Sequence, residues 1–249
     1  MRLRISHRSF LLVCAFLVLF GGTAFAIPAL QLDIKGGTYD LSTETIIAQN
    51  DPFMLYALLK PTSGAPLTDT YYISAALVPK TGPDPLPGGG SFTFAGTTID
   101  VTKDMVYGVP PLETNLSYDH GDLAKHGIFL TYFAEFSFQF NASNRATVYN
   151  TQDTPGAGPT PNPFGGMYFQ AFSVDTTGLA PGYAIHFDLY NEELHRLCGG
   201  GTDIDIDKFA PFSHDAQSPP TRVPESGALL LFGTGLIGLV GYRRVRRMQ

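Results

Sequence analysis

Residues 130–140 restrict the fold more than any other stretch of this chain. Leu130, Tyr132, Ala134, Phe136, Phe138 and Phe140 alternate with Thr131, Phe133, Glu135, Ser137 and Gln139. A period of two is the signature of a strand with one apolar face, and it cannot be laid on a helix. Tyr183, Ile185, Phe187 and Leu189 repeat the pattern against Ala184, His186, Asp188 and Tyr190. Shorter β-rich runs are Leu30–Ile34, Thr45–Ala48, Phe53–Leu59, Tyr71–Val78, Ser91–Phe94, Thr97–Val101, Ala146–Val148 and Tyr168–Val174. Helical periodicity is scarce; only Asp119–Lys125 and Glu192–Leu197 suggest helical turns. The expectation is an all-β chain, an antiparallel β-sandwich of jelly-roll or Ig-like order. A barrel is the structural alternative.

Breakers separate the runs: Gly36-Gly37, Asn50-Asp51-Pro52, Lys60-Pro61 and Gly82-Pro83. Lys80–Gly90 and Asn150–Gly166 are rich in Pro and Gly and read as long loops. Ser213–Val223 is polar and Pro-rich and reads as a linker. The expected layout is an N-terminal segment 1–26, a β-sandwich body 27–212, a linker 213–222 and a tail 223–249.

Both ends carry address information. Arg2, Arg4 and Arg8 precede an apolar run from Phe10 to Phe20, and Ala24-Phe25-Ala26 supplies a small-x-small cleavage pattern. This is the layout of a secretory signal peptide, cut after Ala26 by signal peptidase with Ala24 and Ala26 as the small residues. At the other end, Val223-Pro224-Glu225-Ser226 precedes an uncharged run from Ala228 to Gly241. Arg243, Arg244, Arg246 and Arg247 follow. As a helix, about 14 residues span roughly 21 Å, whereas a lasting span takes about 20 apolar residues. The segment therefore suits transient insertion in a membrane, with the arginines held on the cytoplasmic side. This tripartite tail resembles the PEP-CTERM sorting signal of Gram-negative bacteria. Pro224 and Glu225 match its first two letters, and Ser226 stands where proline is commonest. The resemblance implies recognition and cleavage by a membrane-embedded exosortase.

Between the two ends, nine Lys and Arg face 21 Asp and Glu, a formal charge of −12 on residues 27–224. The chain-wide charge of −6 conceals this, because seven arginines lie in the two terminal segments. Such a body does not seek nucleic acid by charge. Cys198 is the one cysteine left once the N-terminal segment is removed, so an intrachain disulfide is excluded.

The sharpest acidic pattern is Asp203, Asp205 and Asp207 in Thr202-Asp-Ile-Asp-Ile-Asp-Lys208. Alternating carboxylates invite a Ca²⁺ reading, since that ion takes many oxygen ligands. Lys208 occupies the place where an EF-hand loop needs Gly, so that loop is excluded. The competing reading is an edge strand with Ile204 and Ile206 inward and three aspartates facing water. The remaining histidines show no HExxH and no Cys/His zinc spacing. His186 with Asp188, and His214 with Asp215, read as surface pairs. Glu135 faces the polar side of its strand, where jelly-roll hydrolases carry catalytic acids. A single acid and the absence of Trp give that reading little support, and no catalytic residue is assigned.

The opening Pro28-Ala-Leu-Gln-Leu-Asp-Ile-Lys-Gly-Gly-Thr-Tyr-Asp40 is similar to that of "choice-of-anchor N" proteins. So are Gly182–Tyr190 and Phe209–Gln217. That resemblance implies an extracellular body joined to a C-terminal anchor and brings no enzymatic activity. The expected function is a non-catalytic structural or adhesive protein of the cell surface or exopolysaccharide matrix. The alternatives are a carbohydrate-binding module, with or without Ca²⁺, and a polysaccharide hydrolase. No other cofactor is expected.

Overall fold

The computed structural model describes residues 27–83, 88–113, 121–197 and 201–221. The N-terminal segment with Ala24 and Ala26, the tail from Val223 to Gln249, and Cys198 lie outside the described residues. Among the described residues no helix is long and apolar enough to cross a membrane.

The described chain is all-β. Fourteen strands follow one another: β1 Leu30–Ile34, β2 Thr38–Asp40, β3 Thr45–Ile47, β4 Phe53–Leu59, β5 Tyr71–Val78, β6 Ser91–Phe94, β7 Thr97–Asp100, β8 Val106–Gly108, β9 Thr131–Phe138, β10 Arg145–Ala146, β11 Met167–Asp175, β12 Ala184–Leu197, β13 Gly201–Phe209 and β14 Asp215–Gln217. One sheet runs β1-β4-β11-β6-β7, with β10 also on β11. The other runs β2-β3-β14-β12-β5-β9-β8, with β13 also on β12. All pairings are antiparallel except β14 with β3.

The alternation dictates the core. Leu30, Leu32 and Ile34 of β1 and Leu55, Ala57 and Leu59 of β4 join one cluster with Ile73, Ala75 and Leu77 of β5 and Ile185, Phe187 and Leu189 of β12. Both sheets therefore turn their apolar faces to a common interior. Burial of these faces is the main favourable term in folding. Phe94 of the first sheet stacks on Phe136 of the second at 4.2 Å between ring centroids.

Three expectations are corrected. Residues 121–125 form no helical turn, and residues 119 and 120 lie outside the described residues. Glu192–Leu197 is not a helical turn; it continues β12 and pairs with β13 beyond a bulge between Asn191 and Glu192. Glu, Leu and Arg favour helix locally, but pairing with the alternating strand 201–209 overrides that preference. Nor are residues 213–217 a linker. Phe212–His214 form a 3₁₀ turn and Asp215–Gln217 form β14, which lies between β3 and β12. Three residues suffice, because Asp215, Ala216 and Ser218 are buried. Thr221 still belongs to the body: its Oγ1 donates to the carbonyls of Ala180 and Tyr183 at 2.7 and 2.6 Å.

The polar faces of the strands do not all meet water. Gln31 and Asp33 of β1 are fully buried, and His186 and Asp188 of β12 are nearly so. Loop 149–158 covers the former: Thr151 N donates to Gln31, and Gly156 and Gly158 donate to Asp33. Residues 126–129 and Phe212 cover the latter, placing His126 over His186.

Candidate functional site

The strand register creates the site. His186 is paired with Gln217 and Phe187 with Ala216. Continuing this antiparallel register sets Asp188 beside Asp215 on neighbouring strands. His186 and Asp188 are two residues apart, so both side chains leave the same face of β12. His126 enters from the covering segment. Its ring is stacked on Phe212, with centroids 4.3 Å apart and planes at 9°.

Four side chains converge. His126 Nε2 lies 3.0 Å from Asp188 Oδ1, and His186 Nε2 lies 3.6 Å from the same oxygen. His186 Nε2 is 3.5 Å from Asp215 Oδ2 and 3.4 Å from His126 Nε2. The side chains are 7 % exposed for His126, 2 % for His186 and Asp188, and 1 % for Asp215. Ser74 Oγ donates to Asp188 Oδ2 at 3.0 Å, which leaves Oδ1 aimed at the histidines. Asp188 Oδ1, both oxygens of Asp215 and both Nδ1 atoms are buried without a hydrogen-bond partner.

The electrostatics are correspondingly strong. Burial opposes a charge on His186, but the Asp188 and Asp215 carboxylates outweigh it and hold the imidazole up at about 10. Burial also disfavours ionised Asp188, yet the His186 and His126 rings hold it well below the usual carboxylate range. Asp215 is pushed well above that range by burial and by the Asp188 carboxylate, against the pull of His186. Neighbouring environments thus drive two like groups apart.

A cleft of about 570 Å³ opens on this cluster. His126, His186 and Asp215 form part of its wall, and residues 41–45 with Ile128 form much of the rest. Chemically, two imidazoles and two carboxylates can hold a cation or pass a proton. They offer no hydroxyl or thiol nucleophile.

His186 and Asp188 are therefore not the surface pair expected from sequence. Nor is His214 paired with Asp215. Its Nε2 faces Asn150 Oδ1 at 2.8 Å, its Nδ1 faces Ser213 Oγ at 2.9 Å, and burial lowers it to about 4. His126 has no motif to announce it. Its only signal is that it lies in a short polar segment preceding a β-run. The His186-x-Asp188 spacing is visible in the sequence, but the neighbour across the sheet is not.

The candidate Ca²⁺ ligands Asp203, Asp205 and Asp207 lie on β13 and, among the described residues, do not gather into a group that could share an ion. Alternate residues of a strand lie roughly 6–7 Å apart. Asp205 pairs with His195 at 3.1 Å and Asp207 with Lys208 at 2.5 Å. β13 pairs with β12 alone among the described residues and so lies at the edge of its sheet, but Ile204, Ile206 and the three aspartates are all half-buried, so the expected split of Ile inward and Asp outward is not seen.

Glu135 is engaged in a second polar group. It accepts a short hydrogen bond from Tyr190 Oη and one from Leu112 N at 3.3 Å. Burial raises the half-buried Glu192 carboxyl to about 7, and the Glu135 carboxylate adds to the shift. Folded Glu192 thus keeps its proton up to about pH 7, whereas the unfolded chain releases it near its ordinary 4.5. Ionised Glu192 costs stability above pH 7, and the cost fades as pH falls towards 4.5. With water screening the exposed half, Glu192→Gln is expected to stabilise by about 1 kcal/mol at pH 8. Near pH 4 the gain should vanish. Thermal melts at the two pH values check this; equal gains at both would remove the electrostatic cause.

No family model matches the chain, and no curated protein or solved structure matches it.

Proposed function

We propose that this chain is an exported β-sandwich protein of the cell surface or extracellular polymeric matrix, with a structural or adhesive role. In this reading signal peptidase removes residues 1–26 in transit. The tail enters the membrane transiently, and an exosortase cuts near Pro224-Glu225. The mature body then stays at the envelope or enters the matrix, where exopolysaccharide is its partner.

The observation that carries this reading is the tripartite tail: Val223-Pro224-Glu225-Ser226, an apolar run too short for comfortable permanent residence, and four arginines. The acid-rich body supports it, because a body of formal charge −12 is repelled by anionic lipid rather than drawn to it. The fold adds a spatial argument. Thr221 is hydrogen-bonded to the body, and only residue 222 separates it from Val223. Cutting at the motif would release the body with almost nothing trailing.

The test is the intact mass of the protein recovered from the envelope and the medium of its host. The expected mass corresponds to residues 27 to about 224, with or without an attached group. A variant ending at residue 222 should lose the membrane-bound intermediate. A mass running to Gln249 in every fraction, or unchanged location of the truncated variant, would overturn the sorting claim.

A further inference from the structure

We infer that His126, His186, Asp188 and Asp215 bind one divalent transition-metal ion of the zinc class. The site draws on three separated parts of the sequence and does not depend on how the tail is processed.

Distances come first. Zn²⁺ binds imidazole nitrogen and carboxylate oxygen at about 2.0–2.2 Å, so a tetrahedron of such ligands has edges of about 3.3–3.6 Å. Four edges here measure 3.0, 3.4, 3.5 and 3.6 Å. One ligand atom from each of the four residues lies within 4.8 Å of all the others. Small rotations of buried side chains would close the remaining edges.

Unused capacity comes second. Asp188 Oδ1 and both Asp215 oxygens are buried with no hydrogen-bond partner. Buried carboxylate oxygens are costly unless they are paired, protonated or bound to a metal. Their nearest polar neighbours are the two imidazole Nε2 atoms at 3.0–3.6 Å, and an ion between these nitrogens and oxygens would engage both. The two Nδ1 atoms would carry the protons of the ligating tautomer.

Charge balance comes third. Asp188 and Asp215 face each other on adjacent strands, a juxtaposition that repels when both are ionised. Among the described residues no Lys or Arg forms an ion pair with either; their partners are the two histidines. One dication with two carboxylates and two neutral imidazoles sums to zero. Protons on the cluster are the competing solution, and metal reconstitution separates the two.

The donor set also selects the ion. Ca²⁺ takes six to eight oxygens, and Mg²⁺ requires near-octahedral oxygen coordination. Two imidazoles with two carboxylates suit Zn²⁺ and its first-row neighbours. Supporting contacts are present: Ser74 orients Asp188, and Phe212 holds the His126 ring. Such surroundings fix ligand direction. The cleft beside His126, His186 and Asp215 provides an entry path.

The experiment uses the untagged chain as recovered from its host. After chelation and buffer exchange, Zn²⁺ is returned and bound metal is counted by elemental analysis. About one zinc per chain is expected, with a melting temperature raised by roughly 5 °C or more at saturating ion. An equal concentration of Ca²⁺ should leave the melt unchanged. His126→Gln and Asp215→Asn should each weaken Zn²⁺ binding at least about tenfold. Asn is nearly isosteric with Asp and removes a buried ionisable group, so the metal-free Asp215→Asn form should melt no lower than metal-free wild type. That behaviour distinguishes a ligand from a residue that merely supports the fold. A folded wild-type chain with no stoichiometric zinc and no zinc-induced shift would overturn the assignment. So would undiminished binding in a folded Asp215→Asn chain, which would place the metal elsewhere, for instance at exposed His195.

Discussion

Replacing Phe94 with alanine is expected to destabilise the chain by about 4 kcal/mol. Phe94 ends β6, is buried at 2 % exposure, and stands where the two sheets meet. Its ring stacks on Phe136 of β9 and on Phe172 of β11, with centroids 4.2 and 5.1 Å away. Phe187 of β12 lies 6.2 Å off. One side chain therefore joins strands of both sheets, and its removal takes away burial and leaves a cavity among three aromatic rings. The strands around it belong to two hydrogen-bonded sheets, so the space is poorly placed to collapse. For a body of this size the melting temperature should fall by about 8–16 °C. Leu41→Ala is the control: Leu41 is 85 % exposed, so its loss should stay within about 0.5 kcal/mol. Urea unfolding followed by circular dichroism measures both. A Phe94→Ala cost below about 1 kcal/mol would mean that the sheets are not held together at this point.

The apolar alternation that marks Phe94 and its partners is legible in the residue order alone. The runs Leu30–Ile34, Phe53–Leu59, Tyr71–Val78 and Ser91–Phe94 coincide with β1, β4, β5 and β6. Strands β2, β8 and β14 are not legible in that way. Each has three residues and owes its existence to a neighbour: Asp215–Gln217 is a strand because β3 and β12 flank it. Local composition there, with Ser, Asp, Gln and Pro, favours a loop, and pairing overrides it.

The candidate site is hidden for a related reason. Period two tells which side chains share a face, but not whether that face meets water. Gln31, Asp33, His186 and Asp188 alternate with Leu, Ile and Phe, a pattern that by itself places them toward solvent. Long segments of irregular chain fold over them instead. Only the cross-strand register brings Asp215 beside Asp188, and only the cover brings His126. Both are long-range facts: 62 positions separate His126 from Asp188 in the sequence. The address signals at the two ends need no register, since their meaning lies in linear order.

Asp33→Ala should be nearly as damaging as the loss of Phe94, through hydrogen bonds rather than packing. The Asp33 carboxylate is fully buried and accepts from Ile34 N, Gly156 N, Gly158 N and Tyr149 Oη, each at 2.9 Å. Burial alone would neutralise it, and its carboxyl is indeed raised, though these four donors pull the other way. Alanine strands the donors in a space that loop 149–158 seals. With about 1–3 kcal/mol for each important buried group left unpaired, and relaxation recovering part, the cost should reach about 4 kcal/mol. Asparagine should rescue little, because its amide brings two more donors to a site that already has four. The loop has no easy alternative seat. Gly156 has φ of +75°, and a Cβ there would sit 2.3 Å from the Gly37 carbonyl oxygen. Damage should travel further along the same loop. Asn150 receives the His214 ring, and His214 precedes Asp215 of the buried cluster. Loosening loop 149–158 therefore loosens one wall of the cleft. Hydrogen exchange should show early loss of protection at Gly156 and Gly158, then at residues 214–217, before β5 and β12 open. If Asp33→Asn restores wild-type stability, the pocket is not built from donors alone and the network assigned here is wrong.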